Sequence, residues 1–396
     1  LSRLSAQSST VASICSQPTG TISSQADAQA YTQCETVTGS IVVSPEAGGA
    51  IDISGPTKVN GDLICHSAGN LITLSSSSIK SIGGSFDLFN LTTLSTLSFT
   101  NLTSATTILW NALPALGELT FPQFISHATS VTIENTFLTT LDGINLQSVG
   151  SLDINNNRRL SKFSTQVGSV SNILNIASNG QDLQVEFPNL MWANNATFRN
   201  VSSVSIPSLA TVNGSLIFDE NYFDSLSAPN LTTVGNTATG FGSLALVANS
   251  ALKNITIPHL KTVGGGNQIA NNTALQTISF PALTTVGGAI DFSGNFSTPN
   301  LPALTNVAGG FNVQSTNVID CTKFQSEHGN IIQGTFTCDG GNPNPKTLAS
   351  GTGTSSGSSA TSTASATASK GAAVSYGVNE AVAGLSIVGG LLQMLL

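Results

Sequence analysis

The chain has 396 residues, of which only 8% are charged and 40% hydrophobic, so it has ample apolar material for a core and relies on Ser, Thr, Asn and Gly for its polar surface. Its net charge of -8, with 12 Lys+Arg and a single adjacent basic pair at Arg158 and Arg159, excludes a nucleic-acid partner, which needs clustered cations to neutralise phosphates. Five cysteines without Cys-x-x-Cys or Cys/His spacing exclude a zinc site and, placed toward the two ends, fit an oxidising compartment.

The chain starts at Leu1 without an apolar leader, as a mature form or a fragment would. Residues 1–36 read as an N-terminal cap: Ser24 followed three residues later by Asp27 starts a short helix that runs to Cys34. Cys15 and Cys34 are the preferred disulfide, with Cys34 to Cys65 left open as the alternative.

Residues 37–320 repeat. Apolar-x-apolar triplets begin at Ile41, Leu63, Phe86, Ile108, Val131, Leu152, Leu174, Ala196, Leu216, Leu244, Asn267, Ile290 and Phe311, 20 to 23 residues apart except for 28 between Leu216 and Leu244. The surplus falls in residues 235–242, a loop. Period-2 alternation turns the first and third triplet residues inward and the middle one outward. Leu152, Ile154, Asn157 and Leu160 match the strand-and-turn core of leucine-rich repeats, as do Leu244, Leu246, Asn249 and Leu252. A second apolar pair and a corner follow, as in Ile278, Phe280, Pro281, Leu283 and Val286. One such turn cannot bury enough side chain to offset its ordering entropy, so the turns must stack and be capped. The expected fold is mainly β, a right-handed parallel β-solenoid of about thirteen rungs with a short N-terminal capping helix.

This register makes further assignments. Cys65 replaces an apolar core residue and stays a thiol. The turn residues Asn157, Asn179, Asn221, Asn249, Asn272 and Asn295 form an inward ladder. Nine Asn-x-Ser/Thr sequons mark a secreted glycoprotein. Asn90, Asn101, Asn195, Asn200, Asn213, Asn230, Asn254 and Asn271 are the acceptors, and Asn295, placed in the ladder, is left unmodified.

Residues 321–346 form the C-terminal cap, closed by a Cys321–Cys338 disulfide. Residues 347–370, almost wholly Gly, Ser, Thr and Ala, read as a disordered stalk. Residues 371–396 order small residues, a spacer and an apolar terminus from Ala381 to Leu396, as a GPI attachment signal does, with Gly371 as the attachment site.

With a period near 22, cysteine-closed ends and corner-to-strand runs such as Val212-Asn213-Gly214-Ser215-Leu216 and Val286-Gly287-Gly288-Ala289-Ile290, the body resembles the receptor L domain of growth-factor receptors. With the stalk and the Lys370-Gly371-Ala372-Ala373 tail, the whole chain resembles the fungal GPI-anchored cell-wall organisation family related to sporulation-specific wall proteins. That resemblance implies a role in wall integrity at the plasma membrane or wall, and brings no catalytic residues.

Chemistry of other kinds finds little support. Asp87, Asp153 and Asp291 take outward middle positions, but at about 4.8 Å per rung they lie roughly 14 and 29 Å apart, too far for a catalytic pair. Adjacent outward carboxylates are not expected, nor exposed aromatics in the middle column. Asp219 and Glu220 sit in a turn, and His66, His127, His259 and His328 are scattered surface or turn residues. The Gly-Gly runs at 83, 264 and 287 recur at one place in the rung and read as tight corners, not phosphate cradles. Val42, Ile64 and Leu109 form an outward apolar stripe, covered by the cap or open to a partner. The reading is a non-catalytic surface glycoprotein without cofactor or metal, held to the membrane through a GPI lipid, with wall polysaccharide or wall proteins as partners. The alternatives are a wall-polysaccharide glycosidase or transglycosylase and a receptor-like ligand-binding module.

Overall fold

The computed structural model describes residues 14–348, which wind as a parallel β-solenoid. Its main sheet takes one strand from each turn: β1 (Thr19–Ile22), β2 (Ser40–Val43), β3 (Leu63–His66), β4 (Ser81–Phe89), β5 (Ser104–Leu113), β6 (Ser130–Thr136), β7 (Ile144–Asn155) and β8 (Ser169–Ala177). It continues through β9 (Trp192–Arg199), β10 (Leu216–Asp219), β11 (Leu244–Val247), β12 (Asn267–Ala270), β13 (Ile290–Gly294), β14 (Phe311–Ser315) and β15 (Phe336–Gly340). Each strand pairs in parallel with the next, triplet against triplet, so Leu152 faces Val131 and Leu174 while Ile154 faces Ile133 and Ile176. Leu152, Ile154, Leu244 and Leu246 are buried, which places the first and third triplet residues in one shared core. Gly371 and the rest of residues 371–396 lie outside the described residues, as do 1–13 and 349–370.

The turns number about fifteen, not thirteen, because each cap adds a strand of its own. β1 sets Gly20 and Ile22 against Ile41 and Val43, and β15 sets Phe336 and Cys338 against Phe311 and Val313. An open end would leave a strand's N–H and C=O groups unpaired, and these two strands supply the partners. Beyond them, helix α1 (Gln25–Gln29) starts at Ser24 in a capping box with Asp27 and tightens into a 3-10 turn at Ala30–Gln33, with Cys15 bonded to Cys34. Helix α2 (Thr322–Glu327) and the Cys321–Cys338 bond lie at the other end.

Cys65 is buried between Val43 and Leu88 as a free thiol, and its burial pushes the pKa from 9.0 up to about 12. At pH 8 only about 10⁻⁴ of it is thiolate, so a thiol reagent should label the native protein slowly and the unfolded chain at once. The stability that depends on the neutral thiol is intact below about pH 9 and is lost as pH rises toward about 12.

The rest of each rung forms shorter parallel ladders, among them Asn70–Ser76 with Thr96–Phe99 and Gln184–Glu186 with Ser203–Ser205. Thr-Val corners at 211, 233, 262 and 285 stack on one another. The glycines that follow are there for closeness. A Cβ on Gly287 would lie 2.1 Å from the carbonyl oxygen of Gly264, so a larger residue would drive the corner backbones apart.

At the turn after the main strand, Asn157, Asn179, Asn221, Asn249 and Asn272 point inward and are buried. In each the preceding residue has positive φ (Asn156, Ser178, Glu220, Ala248 and Asn271), and that left-handed step swings the next side chain into the core. Asn295 is not part of the ladder, contrary to the repeat pattern. Gly294 before it does not take the left-handed step, so Asn295 stays half-exposed and accepts a hydrogen bond from the Thr316 hydroxyl. Phe296 turns inward instead, its N–H donating to Ser315 Oγ at 3.0 Å.

Candidate functional site on the outward face of the main sheet

The outward face carries two columns of side chains. The first is the middle triplet position, and the second lies one residue past the triplet, where the strand continues outward before the left-handed turn. From β3 to β10 the second column reads His66, Phe89, Asn111, Glu134, Asn155, Ala177, Arg199 and Asp219, successive residues standing in register. This column was missed by reading triplets alone; it adds an aromatic that the middle column lacks, and it overturns the expectation that outward carboxylates do not neighbour one another.

First, the face does present an aromatic. Phe89 is 45% exposed, and the ring of His66 meets it edge-on at 5.8 Å. His66 Nε2 lies 3.0 Å from Asp87 Oδ2, so this histidine is a surface residue that belongs to the face. Leu109 is exposed beside them, with Val42 and Ile64 half-buried in the same stripe. Among the described residues the cap does not cover the stripe. α1 docks on the strand Gly48–Asp52, where the Gln25 amide donates to the Asp52 carbonyl and accepts from its N–H.

Second, carboxylates do meet on successive rungs. Asn155 Nδ2 donates to Glu134 Oε1 at 3.1 Å and to Asp153 Oδ1 at 3.0 Å, so one nitrogen bridges the two acids. Asn175 Nδ2 adds a bond to Asp153 Oδ1 at 2.8 Å, and Asn111 faces Glu134 Oε2 at 3.5 Å. Partial burial raises the pKa of Glu134; the Asn155 bond opposes this and the charge of Asp153 adds to it. The amides thus hold the acids in a hydrogen-bonded net lying flat on the sheet. Chemically, the net offers acceptors and donors spaced by the rung repeat, which suits hydroxyl-rich ligands.

A second charged group sits further along. Arg199 reaches Glu220 Oε2 with Nη2 at 2.6 Å and Asp219 Oδ2 with Nε at 3.4 Å, which occupies both acids of the turn in ion pairs. Burial raises the pKa of Asp219, opposed by Arg199, while the bond Arg199 donates to Glu220 raises that of Arg199. Among the described residues no group of three His, Cys, Asp or Glu side chains could hold a metal ion.

The C-terminal end of the face is covered by the chain itself. After β15 the segment 342–348 folds back over the sheet. Gln314 Oε1 accepts from Asn342 Nδ2 and the Lys346 N–H, Asn312 Nδ2 donates to the Lys346 carbonyl at 2.7 Å, and the Leu348 N–H bonds both oxygens of Asp291 at 3.2 Å. Asp291 and Asn312, outward by register, are consequently buried. Leu348, assigned to the stalk by composition, is held on this strap. The open part of the face therefore runs from β3 to β10, and between β3 and β8 no Lys, Arg or sequon falls on an outward strand position.

Of the sequon asparagines, Asn90, Asn213, Asn230, Asn254 and Asn271 are exposed, while Asn101, Asn195, Asn200 and Asn295 are half-buried. Asn195 lies inside β9, paired with Ile173, and the others lie at corners, turns or the margins of strands.

The chain is 41% identical over 359 residues to protein ecm33 of Aspergillus fumigatus, covering 90% of this chain and 88% of that protein. It is 38% identical over 379 residues to a cell surface GPI-anchored protein of Arthroderma benhamiae, with 95% and 93% covered. Cell wall protein ecm33 of Schizosaccharomyces pombe is 32% identical over 333 residues, with 83% and 77% covered. No family model matches the chain, and no solved structure matches it.

Proposed function

The chain belongs to the family of fungal cell-surface and cell-wall proteins that includes ecm33 and the sporulation-specific proteins, and from that premise we propose that it is a non-catalytic, GPI-anchored glycoprotein supporting wall organisation and integrity. Its place is the cell surface and cell wall. In this reading the open outward face between β3 and β8 holds wall polysaccharide. The observation that carries it is one surface combining exposed Phe89 and Leu109 with the Asn111, Glu134, Asp153, Asn155 and Asn175 net and no cation. Apolar rings match the C–H faces of sugars, amides and carboxylates match their hydroxyls, and the lack of Lys and Arg disfavours polyanions.

A second reading is favoured by the Glu134–Asp153 pair alone: a glycosidase or transglycosylase using two neighbouring carboxyls. Both are tested together. Protein released from cells by phosphatidylinositol-specific phospholipase C, as the anchor requires, is incubated with β-glucan, chitin and mannan, and retention and cleavage are scored. Retention without soluble product is expected, with Phe89→Ala and Asn155→Ala each weakening it about tenfold. New reducing ends would replace the first reading with the second, and retention unchanged in both variants would remove the face from the proposal.

A further inference from the structure

The one long turn between Leu216 and Leu244 places its surplus, residues 235–242, across the neighbouring corner. The loop closes on itself through the Asn236 N–H to the Phe241 carbonyl at 2.7 Å and the Phe241 N–H to the Asn236 carbonyl at 3.2 Å. Its floor is glycine. A Cβ on Gly264 would lie 2.2 Å from the nitrogen of Asn236, and one on Gly242 would lie 2.6 Å from the carbonyl oxygen of Gly214. Between loop and corner is an open cavity of about 360 Å³ lined by Asn213, Thr233, Gly235, Asn236, Thr237 and Thr262. Its lining is amide, hydroxyl and backbone, with no charged side chain.

Asn213, in the lining, is also a sequon asparagine. It is exposed and makes no side-chain hydrogen bond to a described residue, whereas the amide nitrogens of Asn90, Asn101, Asn200 and Asn230 donate to Ser67 Oγ and to the carbonyls of Ser77, Glu220 and Pro207. Phe241, 59% exposed, stands next to Gly242, which packs against the residue after Asn213. A free amide nitrogen at the mouth of a polar cavity, with an uncovered aromatic ring on the adjoining loop, is a place prepared for a sugar.

We propose that this cavity seats the first N-acetylhexosamine of a glycan carried on Asn213, which pins residues 235–242 over the corner and covers Phe241. The proposal rests on the glycoprotein reading above. The volume is at the small end of ligand sites, as one or two sugar rings require. Covalent attachment at the mouth gives the ring a high effective concentration, so contacts too weak to capture a free sugar suffice. The loop has most to gain, because Gly235, Gly240 and Gly242 all have positive φ and their ordering costs more backbone entropy than that of other residues.

The test uses the secreted glycoprotein, with glycopeptide mass spectrometry at each sequon and hydrogen exchange of the amides of residues 236–242. Asn213 should be occupied, and Asn213→Gln should speed exchange in the loop about tenfold or more while Asn254→Gln leaves it unchanged. An endoglycosidase that leaves a single sugar should preserve the slow exchange, and complete removal from the folded protein should reproduce Asn213→Gln. The proposal fails, with the glycoprotein reading intact, if Asn213 is bare while other sequons carry glycan, or if loop exchange is the same in Asn213→Gln. Absence of glycan from every sequon would overturn both.

Discussion

Asn249→Ala lowers the stability of the solenoid by about 4 kcal/mol, and with it the midpoint of thermal or urea unfolding. The side chain is fully buried and works on three rungs at once. Its Nδ2 donates to the Phe218 carbonyl at 3.0 Å and to Asn272 Oδ1 at 3.1 Å, and its Oδ1 accepts from the N–H and Nδ2 of Asn221 at 3.0 and 2.9 Å. Alanine removes these bonds but not their partners, which stay buried without water, and each deserted group costs about 1–3 kcal/mol. Asn295→Ala is the control. The same repeat position there is half-exposed, and its substitution should cost less than about 1 kcal/mol. Equal losses at the two sites would mean that the asparagines matter for their turn propensity and not for the inward ladder.

Asn267→Leu has the opposite sign and raises stability by about 2 kcal/mol. Asn267 occupies the first triplet position of β12, in register between Leu244 and Ile290, and is fully buried. Neither its Oδ1 nor its Nδ2 has a hydrogen-bond partner. Leucine fits the apolar column on both sides and removes the desolvation cost of an unpaired amide. A loss of stability in Asn267→Leu would show that the amide is satisfied in solution and that the site is polar in fact. The two asparagines separate what chemistry alone does not: one amide bridges rungs and the other bridges nothing.

Much of the architecture is legible in one dimension. Leu152 and Ile154, or Leu244 and Leu246, announce a strand by their alternation, and a spacing of 20 to 23 residues announces that each strand pairs with the same part of the next turn. The Ser24–Asp27 capping box is equally local, since its bonds span three residues. The strands added by the caps are harder to read. Gly20 offers no side chain to the inward column and Phe336 follows Phe311 by more than the usual spacing, so neither triplet stands out as the other thirteen do.

The site was legible only in part. A triplet rule sees the middle column and therefore Asp87, Asp153 and Asp291, but His66, Phe89, Glu134 and Asn155 face outward only because the strands run one residue further before turning. Where a strand stops depends on the left-handed residue that follows it, and this is Asn90, Ala248 or Glu220 as readily as glycine. Composition gives little warning of such a turn.

By itself the sequence determined the period, the inward face and the start of the capping helix, because alternation, repeat length and capping are short-range regularities that a core of stacked turns demands everywhere alike. The tertiary structure decided which outward groups become neighbours: Glu134 beside Asp153, Phe89 beside His66, the strap of residues 342–348 over Asp291, and the loop at 235–242 beside Asn213. Those meetings join residues about one turn or more apart in the chain. They depend on where each backbone turns and folds back, which hydrophobic periodicity does not encode.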